Sequence, residues 1–213
     1  MKKILVIVLV LVGVSLLAGT TRGGGFVVGY FQGSLEIVNE TLGTNLDDPL
    51  FAFGGGSFST WKSKVLIFDV ISGGEGYGIY SASDSAQFSG GLGYGYLGLL
   101  LKVGNLGFEG TAGLGGAGFS VLKNVASGDT LSATDVAEHG NVMYVELSGV
   151  PAVFGADVTF DVTDNIQVFV GIRYNVWLWK NVWVSPFGEE IDGFNFDPLV
   201  PQVYVAGLRF GRF

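Results

Sequence analysis

Five charged residues, Glu109, Asp157, Asp161, Arg173 and Arg209, are odd-numbered and lie inside runs whose even-numbered neighbours are mostly apolar. Successive residues of a strand face opposite sides, so all five belong to the polar face of whatever strands carry them. If that face points inward, the charges must be paired or hydrogen-bonded, because burying an isolated ion is very costly. Arg173 is then expected to meet Asp157 or Asp161 across a hairpin. The chemistry on offer is a charge-assisted hydrogen-bond network that fills an interior, with a narrow leak or a small-ligand cavity as the roomier version.

Other residue patterns point to chemistry less firmly. Gly93-Tyr94-Gly95-Tyr96-Leu97-Gly98 and Gly113-Leu114-Gly115-Gly116-Ala117-Gly118 both match G-x-G-x-x-G, with Asp135 some way beyond the second. Dinucleotide binding needs a strand before that turn and a helix after it, whereas here strand pattern lies on both sides. The plainer expectation is that glycines alternate on the crowded inner face of a small barrel. His139, with Ser127 or Ser132 nearby, would be the general base of a lipid-modifying enzyme, but a lone loop histidine reads as solvated. Glu189, Glu190, Asp192 and Asp197 form an acidic loop, and Asp47 and Asp48 a smaller pair. Both read as solvated rather than as cation sites. Without cysteine there is no thiolate ligand or nucleophile and no disulfide, and no motif calls for a cofactor. The chain is read as a non-enzyme.

The elements that would position these residues are organised around Val150 to Lys180. Even positions there run Val150, Ala152, Phe154, Ala156, Val158, Phe160, Val162, then Ile166, Val168, Val170, Ile172, Tyr174, Val176, Leu178. From Gly155 to Asn175 the odd positions are small or polar apart from Phe169. A reversal centred on Asp164 pairs even with even, giving a long hairpin with one wholly apolar face. Either that face packs a soluble core, or it meets lipid while the polar face lines a lumen.

Eight strands are expected along the chain: 24–32, 50–61, 64–82, 86–103, 106–123, 142–162, 166–184 and 199–213. A short helix from Ser34 through Thr41 is expected in the first long connection, with Leu35, Val38 and Leu42 at helical spacing. In 86–103 the even residues Phe88, Leu92, Tyr94 and Tyr96 are read as the apolar face, as in the hairpin. Connections 62–63, 104–105 and 163–165 are short, while of the other four 33–49, 124–141 and 185–198 are long and 83–85 is short. That alternation puts the turns on one rim and the loops on the other. From Ile166 to Trp177 the strand rises roughly 36 Å, which a tilt near 45° projects to about 25 Å, the height of a transmembrane barrel's apolar band. Trp177, Trp179 and Trp183 would form the girdle at one end, Phe58 and Trp61 that at the other, although the odd parity of Trp177 and Trp179 requires a bulge near Asn175.

Composition agrees. Glycine contributes 36 of 213 residues and proline only 5, and the glycines sit within aromatic runs, unlike a disordered tract. The formal charge of −8, with no basic patch, argues against nucleic acid. Met1-Lys2-Lys3 followed by the uncharged run Ile4 to Leu17 and then Ala18-Gly19-Thr20 has the form of a secretory leader. Residues 1–18 are read as that leader and 24–213 as one domain.

The leader, the alternating hairpin and the final strand Tyr204 to Phe213, ending on an aromatic, resemble the small eight-stranded outer-membrane β-barrel proteins. Arg209 and Gly211 depart from the family pattern, which keeps apolar residues on the parity of the terminal aromatic. The resemblance implies an all-β, antiparallel up-and-down transmembrane-type barrel, monomeric, held in membrane lipid and inserted by an outer-membrane assembly machinery. It implies a structural or surface-contact role, with loops 33–49, 124–141 and 185–198 carrying any interaction. Two other readings stand beside it: a secreted soluble β-barrel or sandwich with its even residues turned in around an apolar ligand, and the lipid-modifying enzyme built on His139.

Overall fold

In the computed structural model the chain closes on itself as a barrel of eight antiparallel strands, each paired with its neighbours in sequence order and the last with the first. The structure describes residues 21–31, 35–42, 44–46, 50–62, 67–83, 86–124, 142–185, 187–190, 197–199 and 201–212. The strands are β1 (Thr21–Phe31), β2 (Leu50–Trp61), β3 (Asp69–Ala82), β4 (Ala86–Val103), β5 (Leu106–Asn124), β6 (Val142–Thr163), β7 (Ile166–Lys180) and β8 (Gln202–Gly211). One short helix, α1 (Glu36–Leu42), lies between β1 and β2. Closure satisfies the backbone of every strand and leaves no open edge.

Boundaries differ from the sequence reading in several strands, β1 beginning at Thr21 rather than at residue 24. β3 begins at Asp69 rather than at residue 64, with Ile67 and Phe68 in a bend before it. β7 ends at Lys180, beyond which only Val184 makes isolated bridges to Glu146 and Glu190. β8 is shorter at both ends than expected. The leader and Phe213 lie outside the described residues.

The central hairpin has the expected register: Val158 faces Val170 and Asp161 faces Gln167. A bulge between Asp161 and Thr163 then closes the turn as Thr163 opposite Ile166, and the Thr163 hydroxyl accepts from the Asn165 N–H at 3.2 Å. A second irregularity falls between Val150 and Pro151, where a proline with no N–H to give the ladder is tolerated. Val150 pairs with Trp179 and Pro151 with Trp177, so the extra residue is Leu178 on β7. The bulge falls three residues beyond Asn175, leaves Trp177 inward and turns Trp179 outward.

The exterior is apolar. Phe154, Val158, Phe160, Val168, Val170, Tyr174 and Leu178 all point outward and are exposed, as are Phe108, Leu114, Tyr204 and Phe210. Asp157, Thr159, Gln167, Arg173 and Arg209 point inward and are buried. The soluble-core arrangement, with the even residues of this hairpin inside, is not the one adopted.

In β4 the parity is reversed. Phe88, Leu92 and Tyr94 are buried in the interior, while Gly93 and Gly95 face out. The two-residue turn Gly104-Asn105 is the cause. It sets Val103 opposite Leu106, so even residues of β4 share a face with odd residues of β5, such as Tyr94 with Gly115. Gly104 takes the positive φ of 61° that this turn needs. The alternating glycines are thus inside on β5, at Gly113 and Gly115, and outside on β4.

Inside, the half of the barrel nearer the long connections is filled by hydrocarbon. Phe31, Phe88, Phe119, Val121, Val145 and Val203 pack together, and Leu35, just before α1, and Val38 within it close over them with Leu46, Trp183 and Leu199. α1 is held by Asn39, whose side chain accepts from the Leu46 N–H and the Thr44 hydroxyl, both at 2.8 Å, and donates to the Leu46 carbonyl at 2.9 Å. Trp183 and Phe58 are therefore interior residues and not part of any girdle. Trp177 is inward and half-buried, edge-to-face with Phe119, its Nε1 donating to Asp197 at 2.8 Å. Trp179 alone of the three is exposed.

Candidate functional site

Below the hydrocarbon plug the lumen carries a continuous polar network. Gly155 is paired with Arg173 and Gly171 with Asp157, so glycines beside each charged residue leave room for the two side chains to meet diagonally. The Arg173 guanidinium forks between two carboxylates. Its Nε and Nη2 donate to Glu75 at 3.0 and 3.1 Å. Nη2 also reaches Asp157 Oδ2 at 3.1 Å, and Nη1 pairs with Asp157 Oδ1. The Tyr94 hydroxyl donates to Glu75 at 2.6 Å and accepts from Arg173 Nε at 2.8 Å.

Arg209 continues the network toward the short-turn rim. Its Nη1 donates to Glu109 Oε1 at 2.7 Å and to Gln167 Oε1 at 3.1 Å, and its Nη2 to Asp157 Oδ2 at 3.2 Å. Asp157 is thus shared by both arginines. Gln167 Nε2 donates to Asp161 at 2.8 Å, and Asp161 forms an ion pair with Lys102. The guanidinium of Arg209 also lies over the ring of Phe169, 4.4 Å from its centroid, with Phe58 at 5.7 Å. Phe169, the apolar exception on the hairpin's polar face, is the platform for this cation.

All five residues expected to form a lumen network are therefore brought together. Glu109, Asp157, Arg173 and Arg209 bond directly, and Asp161 joins through Gln167. Of the two expected partners of Arg173, Asp157 is the one it meets. Glu75, Tyr94, Gln167 and Lys102 were not anticipated. Glu75 was legible as a polar-face residue of β3, but its partner lies 98 positions away, and no local pattern carries that pairing. Tyr94 was hidden by the parity assigned to β4.

The network ties six strands together: Glu75 on β3, Tyr94 on β4, Glu109 on β5, Asp157 on β6, Arg173 on β7 and Arg209 on β8. Each of the three carboxylates accepts from an arginine, so none is a free base. Glu109 Oε2 has no hydrogen-bond partner among the described residues; Glu109 lines a cavity of about 30 Å³ with Thr60, Ile71, Tyr96, Gln167 and Arg209. That volume suits one or two waters. A second cavity, about 20 Å³, lies beside Phe169 and Phe58. His139, Ser127, Ser132, Asp47, Asp48 and Asp192 lie outside the described residues. Glu189 and Glu190 sit after a tight turn capped by the Ser185 hydroxyl, which accepts from the Phe187 and Glu189 N–H groups.

Eight strands in a ring, an exterior that is apolar along the middle of the strands, and the buried charges Glu75, Glu109, Asp157, Arg173 and Arg209 turned into the lumen define the transmembrane-type antiparallel up-and-down β-barrel. The fold is that of the small outer-membrane barrels. It is similar to the attachment invasion locus protein Ail of Yersinia pestis, at 10% identity and a TM-score of 0.51, covering 92% of this chain and 99% of that one. It is similar also to a major outer membrane protein of Thermus thermophilus, at 10% identity and a TM-score of 0.52, covering 90% and 99%. No family model matches the chain, and no curated protein matches it in sequence.

Proposed function

We propose that this chain is an outer-membrane barrel with a structural or surface-contact role, exported by the leader at residues 1–18 and working as a monomer in lipid. The observation that carries the reading is the inversion of its two faces: large hydrophobic side chains such as Phe108, Phe154, Val158, Val170 and Tyr204 are exposed along the strands, and Asp157, Arg173 and Arg209 are buried inside. Water would penalise the first and lipid rewards it, whereas the second is tolerable only because the ions are mutually paired. The Thermus thermophilus neighbour, a major outer membrane protein, supports the location.

The filled interior favours a contact role over transport. The arginine network blocks the half nearer the short turns and the plug under α1 blocks the other. Eight-stranded barrels have room for side chains and little else. Contacts then fall to the connections 33–49, 124–141 and 185–198, and a non-enzymatic role follows. Fractionation tests the reading: the chain should sediment with outer membranes, need detergent for release, and run on gels at a heat-dependent mobility. Recovery from the soluble fraction without detergent would overturn it.

A further inference from the structure

Outside the barrel, at the short-turn end, two arginines stand side by side. Gly23 on β1 pairs with Gly211, the last residue of β8, and one more step of the same register, just beyond the strand, would set Arg22 opposite Arg212. Both are exposed, and both share the outward parity of Phe26 and Phe210, which are themselves exposed. Directly opposite residues of an antiparallel pair hold their Cβ atoms about 5 Å apart, and like charges there repel. Among the described residues neither arginine has an ion-pair or hydrogen-bond partner. Every buried arginine in the lumen, by contrast, is matched to carboxylates.

The same row continues with a hydroxyl, since Arg22 pairs with Ser59 on β2. One step toward the middle of the barrel the outward row is Phe210, Gly24, Ser57 and Gly74, and the next is Leu208, Phe26, Gly55 and Gly76. Aromatic and aliphatic side chains therefore stand above the arginines on β8 and β1, beside a shallow, nearly side-chain-free surface on β2 and β3. Cationic forks at the rim with hydrocarbon rising from them match a phosphate on top of acyl chains.

We infer that Arg22 and Arg212, with Ser59, bind the phosphate of an anionic glycerophospholipid in the leaflet at the short-turn rim. The lipid supplies the negative charge that two adjacent guanidinium groups lack, in the planar geometry that arginine takes bidentately. Its chains lie along Phe26, Phe210 and the glycine surface. The inference rests on the membrane location proposed above.

The test uses the full chain inserted into vesicles of phosphatidylglycerol or of phosphatidylcholine, with retained lipid counted by native mass spectrometry after transfer to detergent. Wild type should retain one phosphatidylglycerol in preference to phosphatidylcholine. Arg22→Gln with Arg212→Gln should weaken retention about twenty-fivefold, from roughly fivefold per arginine. If the double variant does not fold, each single variant is read against the fivefold expectation. Inorganic phosphate should not displace the lipid; complete displacement would mean a free-anion site and overturn the proposal. Equal retention by wild type and variants would overturn it too, while leaving the membrane location intact. Failure to insert into either vesicle would remove the location and this site with it.

Discussion

Arg209 stacks on Phe169, its guanidinium carbon 4.4 Å from the ring centroid, while the same group donates to Glu109 and Asp157. An aromatic face and two carboxylates thus hold one cation from different sides. Phe169→Leu keeps the volume hydrophobic and removes the quadrupole. It should cost about 2 kcal/mol, the range for a desolvated cation–π pair, measured by urea unfolding in phospholipid vesicles. A loss below a few tenths would show that the stacking contributes nothing.

Arg173 is the only cation within hydrogen-bond reach of Glu75 among the described residues, and it also holds Asp157. Arg173→Met should destabilise the barrel by about 3–5 kcal/mol, because two carboxylates then stay buried with too little counter-charge. Adding Glu75→Gln to that variant should recover part of the loss. Additivity of the two substitutions would contradict the direct pairing seen here.

Glycine positions range from crowded to open. A Cβ on Gly171 would collide with the Asp157 carboxylate and the Ala156 carbonyl, whereas one on Gly93 or Gly116 meets nothing within 4 Å. Gly171→Ala should therefore lower the heat-modification midpoint of the folded band on gels. Gly93→Ala and Gly116→Ala should leave it unchanged or raise stability by about 0.4–1 kcal/mol through a less flexible unfolded chain.

The lumen should not conduct. Wild-type barrel in planar bilayers is expected to show no resolvable single-channel steps, since both halves of the interior are packed. Stable unitary openings in wild type would be incompatible with that packing.

Asp197 accepts from Trp177 Nε1 and from Lys180 Nζ and caps the Leu199 N–H, pinning the last long connection to the barrel wall. Asp197→Ala should shift the tryptophan emission toward that of a less constrained indole and speed proteolysis between β7 and β8, with little change in global stability. An unaltered emission spectrum together with an unaltered cleavage rate would show that Asp197 does not anchor the loop.

Much of the architecture is local and so was legible. Alternation from Val150 to Val176 determines a two-faced hairpin, because side-chain direction in a strand has a period of two until a bulge shifts it, as at Leu178. Turn lengths determine the neighbour order and the division between short and long rims. The odd parity of Glu109, Asp157, Asp161, Arg173 and Arg209 determines that they share one face. Even the reversed phase of β4 was implicit in its two-residue turn, which obliges Val103 and Leu106 to face each other.

Pairing across the lumen was not local. Which carboxylate Arg173 takes depends on where β3, 98 residues away, comes to stand once the ring has closed, and on glycines at 155 and 171 that open a diagonal path. The role of Phe169 likewise required Arg209 to arrive from the last strand. Alternation along the chain sets which way each side chain points; only closure of the barrel sets what it meets there.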